Sequence, residues 1–284
     1  CGGALKEKER SSDVARKKIV FIPGTDSHGP GEHEHLGGCT LLAKLLNEQV
    51  PGAYALVTEQ GWPKDTTVLD NADAIVMYSD GGDGHMAIPH LDHLDRLMKK
   101  GVGLLNIHYA VEVPAGEAGD YFLKWVGGYF EIYWSINPFW TPRFDSFPNH
   151  PVTHGVPPFE ARDEWYYHMR FNEDAKGLVP ILKLHPPTST LDRNDGAHEG
   201  NPHVRAAIAR NEPQVMAWAY ERPDGGRGFG FTGGHVHNNW KIDGFRKLVV
   251  NAIAWVAKIE VPDTGFDTST PTQEELDALC KNPE

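Results

Sequence analysis

Cysteine is scarce in this chain: three in 284 residues, none of them in a CxxC pair. That argues against a disulfide framework and against a thiolate zinc site. Cys39 opens an apolar helical stretch and reads as a buried thiol; Cys280 lies in the C-terminal tail. No apolar run approaches the length needed to cross a bilayer. Positive charge is also in short supply, with 27 Lys and Arg against 39 Asp and Glu and a formal net charge of −12. Nucleic-acid affinity rests on neutralised phosphates, so a nucleic-acid partner is not expected, and an anionic membrane surface is disfavoured for the same reason. The glycine-rich loop YSDGGDGH contains neither GxGxxG nor GxxxxGK[ST], so no nucleotide cofactor is expected.

Histidine, by contrast, is abundant, with 15 residues, and so are glycine (30) and proline (21), which imply long, shaped loops. The informative histidines follow apolar runs: His28 after KKIVFIPG, His108 after VGLLNI, and His235 and His237 after RGFGFTGG. In an open α/β sheet, ligands bind beyond the carboxyl ends of the strands. If these runs are neighbouring parallel strands, imidazoles remote in sequence converge there. Imidazole moves protons near neutral pH and is the commonest metal ligand.

The element pattern supports that geometry. Strands are expected at Lys18–Gly24, Ala53–Thr58, Asp73–Ser79 and Val102–Ile107, then at Pro180–His185, Gln214–Tyr220 and Arg227–Thr232. Leu41, Leu42, Leu45 and Leu46 mark a helix that Pro51-Gly52 stops; Leu91, Leu94, Leu97 and Met98 mark another, with Gly101 just past its end. A last long helix runs from about Asp243 to Lys258, and Thr272 to Glu275 forms a possible capping box. Strands alternating with helices predict a three-layer α/β/α sandwich with a flavodoxin-like, mostly parallel sheet. Residues 109–200 read as loop-rich and aromatic-rich. The expected organisation is a flexible tether over 1–17, one domain over 18–260, and a tail over 261–284 with a short helix.

The beginning, CGG followed by a charged stretch, reads as a mature bacterial lipoprotein acylated at Cys1. That reading expects an extracytoplasmic protein, in the periplasm or cell envelope, whose membrane contact is the lipid alone. The alternative is a boundary that falls at cysteine by chance.

Four segments carry candidate chemistry. GTDSHGPGEHEH gathers Asp26, His28, Glu32, His33, Glu34 and His35 within ten residues; imidazole and carboxylate together suit zinc or another divalent ion, with a solvated polar loop as the alternative. His28, nearest the strand end, is the first choice there. GVGLLNIHYA places His108 where hydrolases of this architecture hold a nucleophile, with no Ser or Cys beside it, so an acyl-enzyme is disfavoured. DEWYYHMRF, if extended, puts Glu164, Tyr166 and His168 on one side, able to divide proton acceptance and donation. GGHVHNNW offers His235 and His237, then Asn239 and Trp240, behind two glycines that let backbone approach a ligand. YSDGGDGH adds Asp80, Asp83 and His85 near the same edge. The aromatics Tyr129, Phe130, Tyr133, Trp134, Phe139, Trp140, Trp165 and Tyr166 fit either sugar stacking or a loop packed on itself.

These segments together resemble the trehalose-utilisation (ThuA-like) family, whose fold is related to the class I glutamine amidotransferases. The carriers are GTDSHG, GLLNIHYA, WVGGYFE, NHPVTHGVPPFEARDEWYY and FTGGHVHNNW…FRKLVVNAIAW, spanning about residues 18–258. The resemblance implies a carbohydrate substrate. Where related amidotransferases place a nucleophilic cysteine, this chain has His108, which argues against amidotransferase activity. The histidine after the last strand of that fold corresponds to His235 or His237. The expected function is processing of a glycoside or an oxidised (3-keto) glycoside, as a lyase or hydrolase; the alternative is a non-catalytic sugar-binding or accessory domain. The expected catalytic residues are His108, Glu164, Tyr166 and His235. The expected substrate contacts are Asp26, Tyr109, Glu131, Trp134, Trp165, Asn239 and Trp240. His28, His108, His235 and His237 are the expected ligands of one divalent ion, zinc or similar.

Overall fold

The computed structural model describes residues 15–172 and 176–281. Cys1 and the tether as far as residue 14 lie outside the described residues. Seven strands form the central sheet: β1 (Lys17–Pro23), β2 (Ala53–Val57), β3 (Ala74–Tyr78), β4 (Gly103–Ile107), β5 (Leu178–Leu184), β6 (Gln214–Glu221) and β7 (Arg227–Phe231). Their spatial order is β5-β6-β7-β4-β3-β1-β2. All neighbours from β7 through β2 pair in parallel, and β6 runs against both of its neighbours. All seven expected strands are present.

Alternation along the parallel strands sorts side chains into two cores. Ile19, Phe21, Val76, Tyr78, Leu105, Ile107, Phe229 and Phe231 face α1 (His35–Gln49) and α5 (Asp243–Val256). Val20, Ile22, Ile75, Met77 and Leu104 face α2 (Leu91–Lys99) and α3 (Glu117–Trp125). The sandwich therefore has three layers. Cys39 is fully buried on the first face. Gly101 follows α2 with φ +87°, the left-handed stop the sequence predicts.

Two helices within and after the loop-rich middle were not expected. In α3, Ala118, Phe122 and Trp125 recur at helical spacing and are buried, with Glu117 and Asp120 in the first turn. In α4 (Pro202–Ala209), the Asn201 side chain accepts from the amides of His203 and Val204, and Pro202 occupies the first turn. Val261, Phe266 and Leu276 are buried, and α6 (Gln273–Asp277) starts with the expected capping box at Thr272 and Glu275.

Between β1 and β3 the chain order reverses, because β1 leads outward to β2 while β3 lies on its other side. Such a switch point opens a crevice at the carboxyl ends of the strands. The loops after β1, β3, β4 and β7 all emerge there.

Candidate functional site

Three imidazoles and one carboxylate meet at this crest. His33 comes from the loop after β1, His108 follows β4, His235 follows β7, and Glu164 arrives from the middle segment. One ligand atom from each lies within 4.8 Å of the others. His33 Nε2 is 3.0 Å from His235 Nδ1 and 3.1 Å from His108 Nε2. Glu164 Oε2 is 3.5 Å from His108 Nε2 and 3.4 Å from His235 Nδ1. His33, His108 and His235 are buried.

Local backbone sets these directions. His33 and His108 adopt φ +46° and +55°, left-handed values that side-chain-bearing residues seldom accept. At His108 the turn sends the ring back over the sheet edge instead of outward. Gly234, with φ +117°, crosses beside His108, and its carbonyl accepts from the Tyr78 hydroxyl. Asp163 fixes that turn from beneath. Its buried carboxylate accepts from the amides of Gly234 (2.9 Å) and His235 (3.0 Å) and from Asn239 Nδ2 (2.9 Å).

The outer partners fix the tautomers. His33 Nδ1 lies 2.7 Å from Asp80 Oδ1, and His108 Nδ1 lies 2.8 Å from the Thr232 carbonyl oxygen. Both partners can only accept, so each Nδ1 carries its proton. Burial holds His33 neutral, lowering its pKa to about 3, so its Nε2 presents a lone pair. Burial resists ionisation of Asp80, but hydrogen bonds from His33 and Ser27 prevail and hold it at about 2. At Glu164 burial likewise opposes charge, and the neighbouring His108 and His235 outweigh it, keeping the carboxyl well below the usual range. His235 is pushed the other way: desolvation disfavours its cation, yet the hydrogen bond and charge of Glu164 raise its pKa.

His108 Nε2 faces the His33 Nε2 lone pair across 3.1 Å. Such a pair of nitrogens repels unless a cation or a shared proton lies between. Tetrahedral zinc with Zn–N bonds of about 2.0–2.1 Å would set its nitrogens roughly 3.3 Å apart, close to the spacing found. The donor set, three imidazoles and a carboxylate, suits zinc or a similar divalent ion. The carboxylate and carbonyl behind His33 and His108 are the outer-shell partners that orient metal-binding imidazoles.

The expected site residues fare unequally. His108, Glu164, Tyr166 and His235 are together; the Tyr166 hydroxyl is 3.0 Å from His108 Nε2 and 3.2 Å from Glu164 Oε2. His28 is exposed, its ring 3.7 Å from that of His33 and tilted by 30°; it lies outside the four-atom set but forms, with His33 and Asp80, a second group able to hold a metal ion. His237 is not in the set: the chain enters a 3-10 turn at this residue, and its ring is buried toward Glu34, Leu276 and Asp277. His33 takes the place expected for His28, because a left-handed step after Glu32 turns it inward. Three close histidines in one loop signal a site, but not which ring points in.

Trp165 and Trp240 cannot touch a substrate. Both are fully buried, Trp165 against Phe144, Phe231 and Phe245 and Trp240 against Tyr78 and Phe245. They plug the core beneath the crest. Asn239 positions Asp163 and is itself buried. His168 is turned from Glu164 and Tyr166 by a left-handed φ of +60° and bonds the Trp134 carbonyl. Trp134 is sandwiched among His168, His203 and the Arg170 guanidinium. Asp26 accepts from Gln60 and lines a separate hollow beside the C-terminal segment. His85 is structural, donating to the Ala110 carbonyl and accepting from the Ala87 amide. Tyr109 and Glu131 do line a cavity next to the cluster. Among the aromatics, exposed Phe139 stands 4.9 Å from His235 at the rim.

A family model described as trehalose utilisation (ThuA) matches residues 25–256. The chain belongs to the ThuA family. A ThuA-like protein from Bacteroides uniformis has 18% identity and a TM-score of 0.60, over 90% of this chain and 97% of that one. A ThuA-like protein from Parabacteroides merdae has 14% identity and a TM-score of 0.54, over 90% and 98%. A glutamine amidotransferase from Thermotoga maritima has 10% identity and a TM-score of 0.44, over 86% and 99%. Comparison with curated proteins returns no match. The ThuA likeness concerns the fold and does not by itself assign a chemistry.

Proposed function

We propose that this ThuA-family protein is a carbohydrate-active enzyme in which His33, His108, His235 and Glu164 hold one divalent cation, zinc or similar. The observation that carries this is the convergence of one ligand atom from each of the four, all within 4.8 Å of one another, with His33 Nε2 and His108 Nε2 3.1 Å apart. The proposed substrate is a glycoside or its 3-keto derivative, in keeping with the family's trehalose-utilisation description.

A ketone at C3 acidifies the proton at C2. Removing that proton and breaking the C1–O bond forms a C1=C2 enone and releases the leaving group as an alcohol. Water adding across the double bond then completes a net hydrolysis. When bound, a divalent ion would supply Lewis acidity toward the substrate oxygens. His28 lies against His33 at the solvent side, with Nδ1 held by Ser27, and is placed to carry a proton between substrate and water. The Tyr166 hydroxyl has one proton and two acceptors in reach; with His108 Nε2 engaged, it donates to Glu164 and holds that carboxylate in place. Asp80 and Thr232 keep the His33 and His108 rings aimed inward.

The test is elemental analysis of protein purified without added metal, followed by turnover of glycosides and 3-keto glycosides before and after chelation. About one ion per chain, with activity lost on chelation and regained on adding the ion, supports the proposal. Activity that survives with no ion present overturns the metal assignment. Sugar binding without turnover across both substrate series would make the domain a sugar-binding module instead.

A further inference from the structure

Beside the cluster lies a cavity of about 460 Å³ between the glycine-rich turn after β3 and the segments around residues 112–115, 131–132 and 197–198. It shares walls with the cluster. Tyr109, which follows His108, has its ring 6.2 Å from that of His33, and the turn Gly81–Gly84 directly follows Asp80. Its volume lies within the range that holds small ligands. At its base sits Glu112, with a side chain 3% exposed. His198 Nε2 donates to both of its oxygens, at 2.9 and 3.0 Å. A carboxylate has about four lone-pair directions, so this pairing leaves acceptor capacity facing the cavity.

The charges around the cavity are selective. Among the described residues lining it there is no Lys or Arg. Glu131 is neutralised by a two-pronged bond from Arg170, His198 is committed to Glu112, and Asp83 is exposed. An incoming phosphate or carboxylate would find no free cation and one free anion. A neutral ring with several hydroxyls would find carboxylate acceptors, the open backbone of the glycine turn and the Tyr109 ring.

We propose that this cavity seats a neutral polyhydroxylated ring, with Glu112 accepting from its hydroxyls and His198 positioning Glu112, and that it rejects phosphorylated and acidic sugars. The proposal deepens the functional reading above and rests on it for the reacting centre alone.

Two lining positions allow the cavity to be filled without disturbing the fold. A Cβ on Gly84 meets no heavy atom within 4 Å, and Ala115 is exposed. Calorimetric titration of the full chain with methyl α-D-glucopyranoside and with glucose 6-phosphate tests the assignment. The neutral glycoside is expected to bind at least about tenfold more tightly than the phosphate. Gly84→Leu, Ala115→Trp and Glu112→Gln should each weaken the glycoside about tenfold while metal content stays at the wild-type level. Unchanged binding in the two filling variants, tighter binding of the phosphate, or no heat from the glycoside with wild-type protein would each overturn the proposal. The two readings fail separately: a protein that holds the ion but not the glycoside loses this seat, and one that binds the glycoside here but no ion loses the metal assignment.

Discussion

Replacing Asp163 by asparagine should cost more stability than any other single-atom change near the site. The Asp163 carboxylate is fully buried. Oδ1 accepts from the amides of Glu164 (2.8 Å) and His235 (3.0 Å), and Oδ2 from Gly234 N and Asn239 Nδ2, both at 2.9 Å. Asparagine keeps the shape but turns one oxygen into an NH2 group. Oδ1 also lies 3.4 Å from the Val236 amide, so whichever way the side-chain amide settles, at least two donors lose their acceptor and face another donor. Each orphaned buried donor costs about 1–3 kcal/mol, so the variant should lose roughly 4 kcal/mol. That is a large part of the about 5–15 kcal/mol that holds a domain together. Urea unfolding followed by circular dichroism should show a lower midpoint with an unchanged slope. Because the same bonds hold the turn that carries His235, retained metal should fall as well. A loss below about 1 kcal/mol, against the cost expected for two orphaned donors, would refute the account of Asp163 as the anchor of that turn.

His33→Ala should abolish metal retention, whereas His237→Ala should leave it intact; elemental analysis of both variants checks the ligand assignment. Tyr166→Phe should retain the ion yet lower turnover by about tenfold to a hundredfold, the usual loss when an outer-shell partner is removed. Stability should also fall with acid through His85, whose neutral ring donates through Nε2 to Ala110 and accepts at Nδ1 from Ala87. Burial lowers its pKa from 6.5 to about 4, so between those pH values the unfolded chain takes up a proton that the folded chain refuses. Unfolding becomes easier as pH drops through that window, by ~3 kcal/mol at most. His85→Gln should flatten that part of the urea-midpoint curve against pH, and an unaltered curve would refute the assignment.

The sheet and its flanking helices are legible in the sequence because both cores are written in local periodicity. Val20, Ile22, Ile75 and Met77 against Ile19, Phe21, Val76 and Tyr78 is an alternation readable residue by residue. Even the unexpected α3 and α4 left signals, Ala118–Phe122–Trp125 in one and Asn201-Pro202 in the other, which the loop-rich character of the middle segment obscured. The aromatic density there had two readings, and folding divided it: Trp165 became core, Phe139 became rim.

What the sequence determined by itself is the sandwich, the parallel strand ends and the placement of histidines beyond them, since each depends on neighbours along the chain. Which ring of GTDSHGPGEHEH turns inward, that His237 turns away, and that Glu164 and Tyr166 join His108 depended on tertiary structure. Those outcomes follow from left-handed backbone steps at His33, His108 and His168 and from the grip of Asp163 on a turn about seventy residues away. Local propensity disfavours such conformations, and only contacts between distant segments compensate for them.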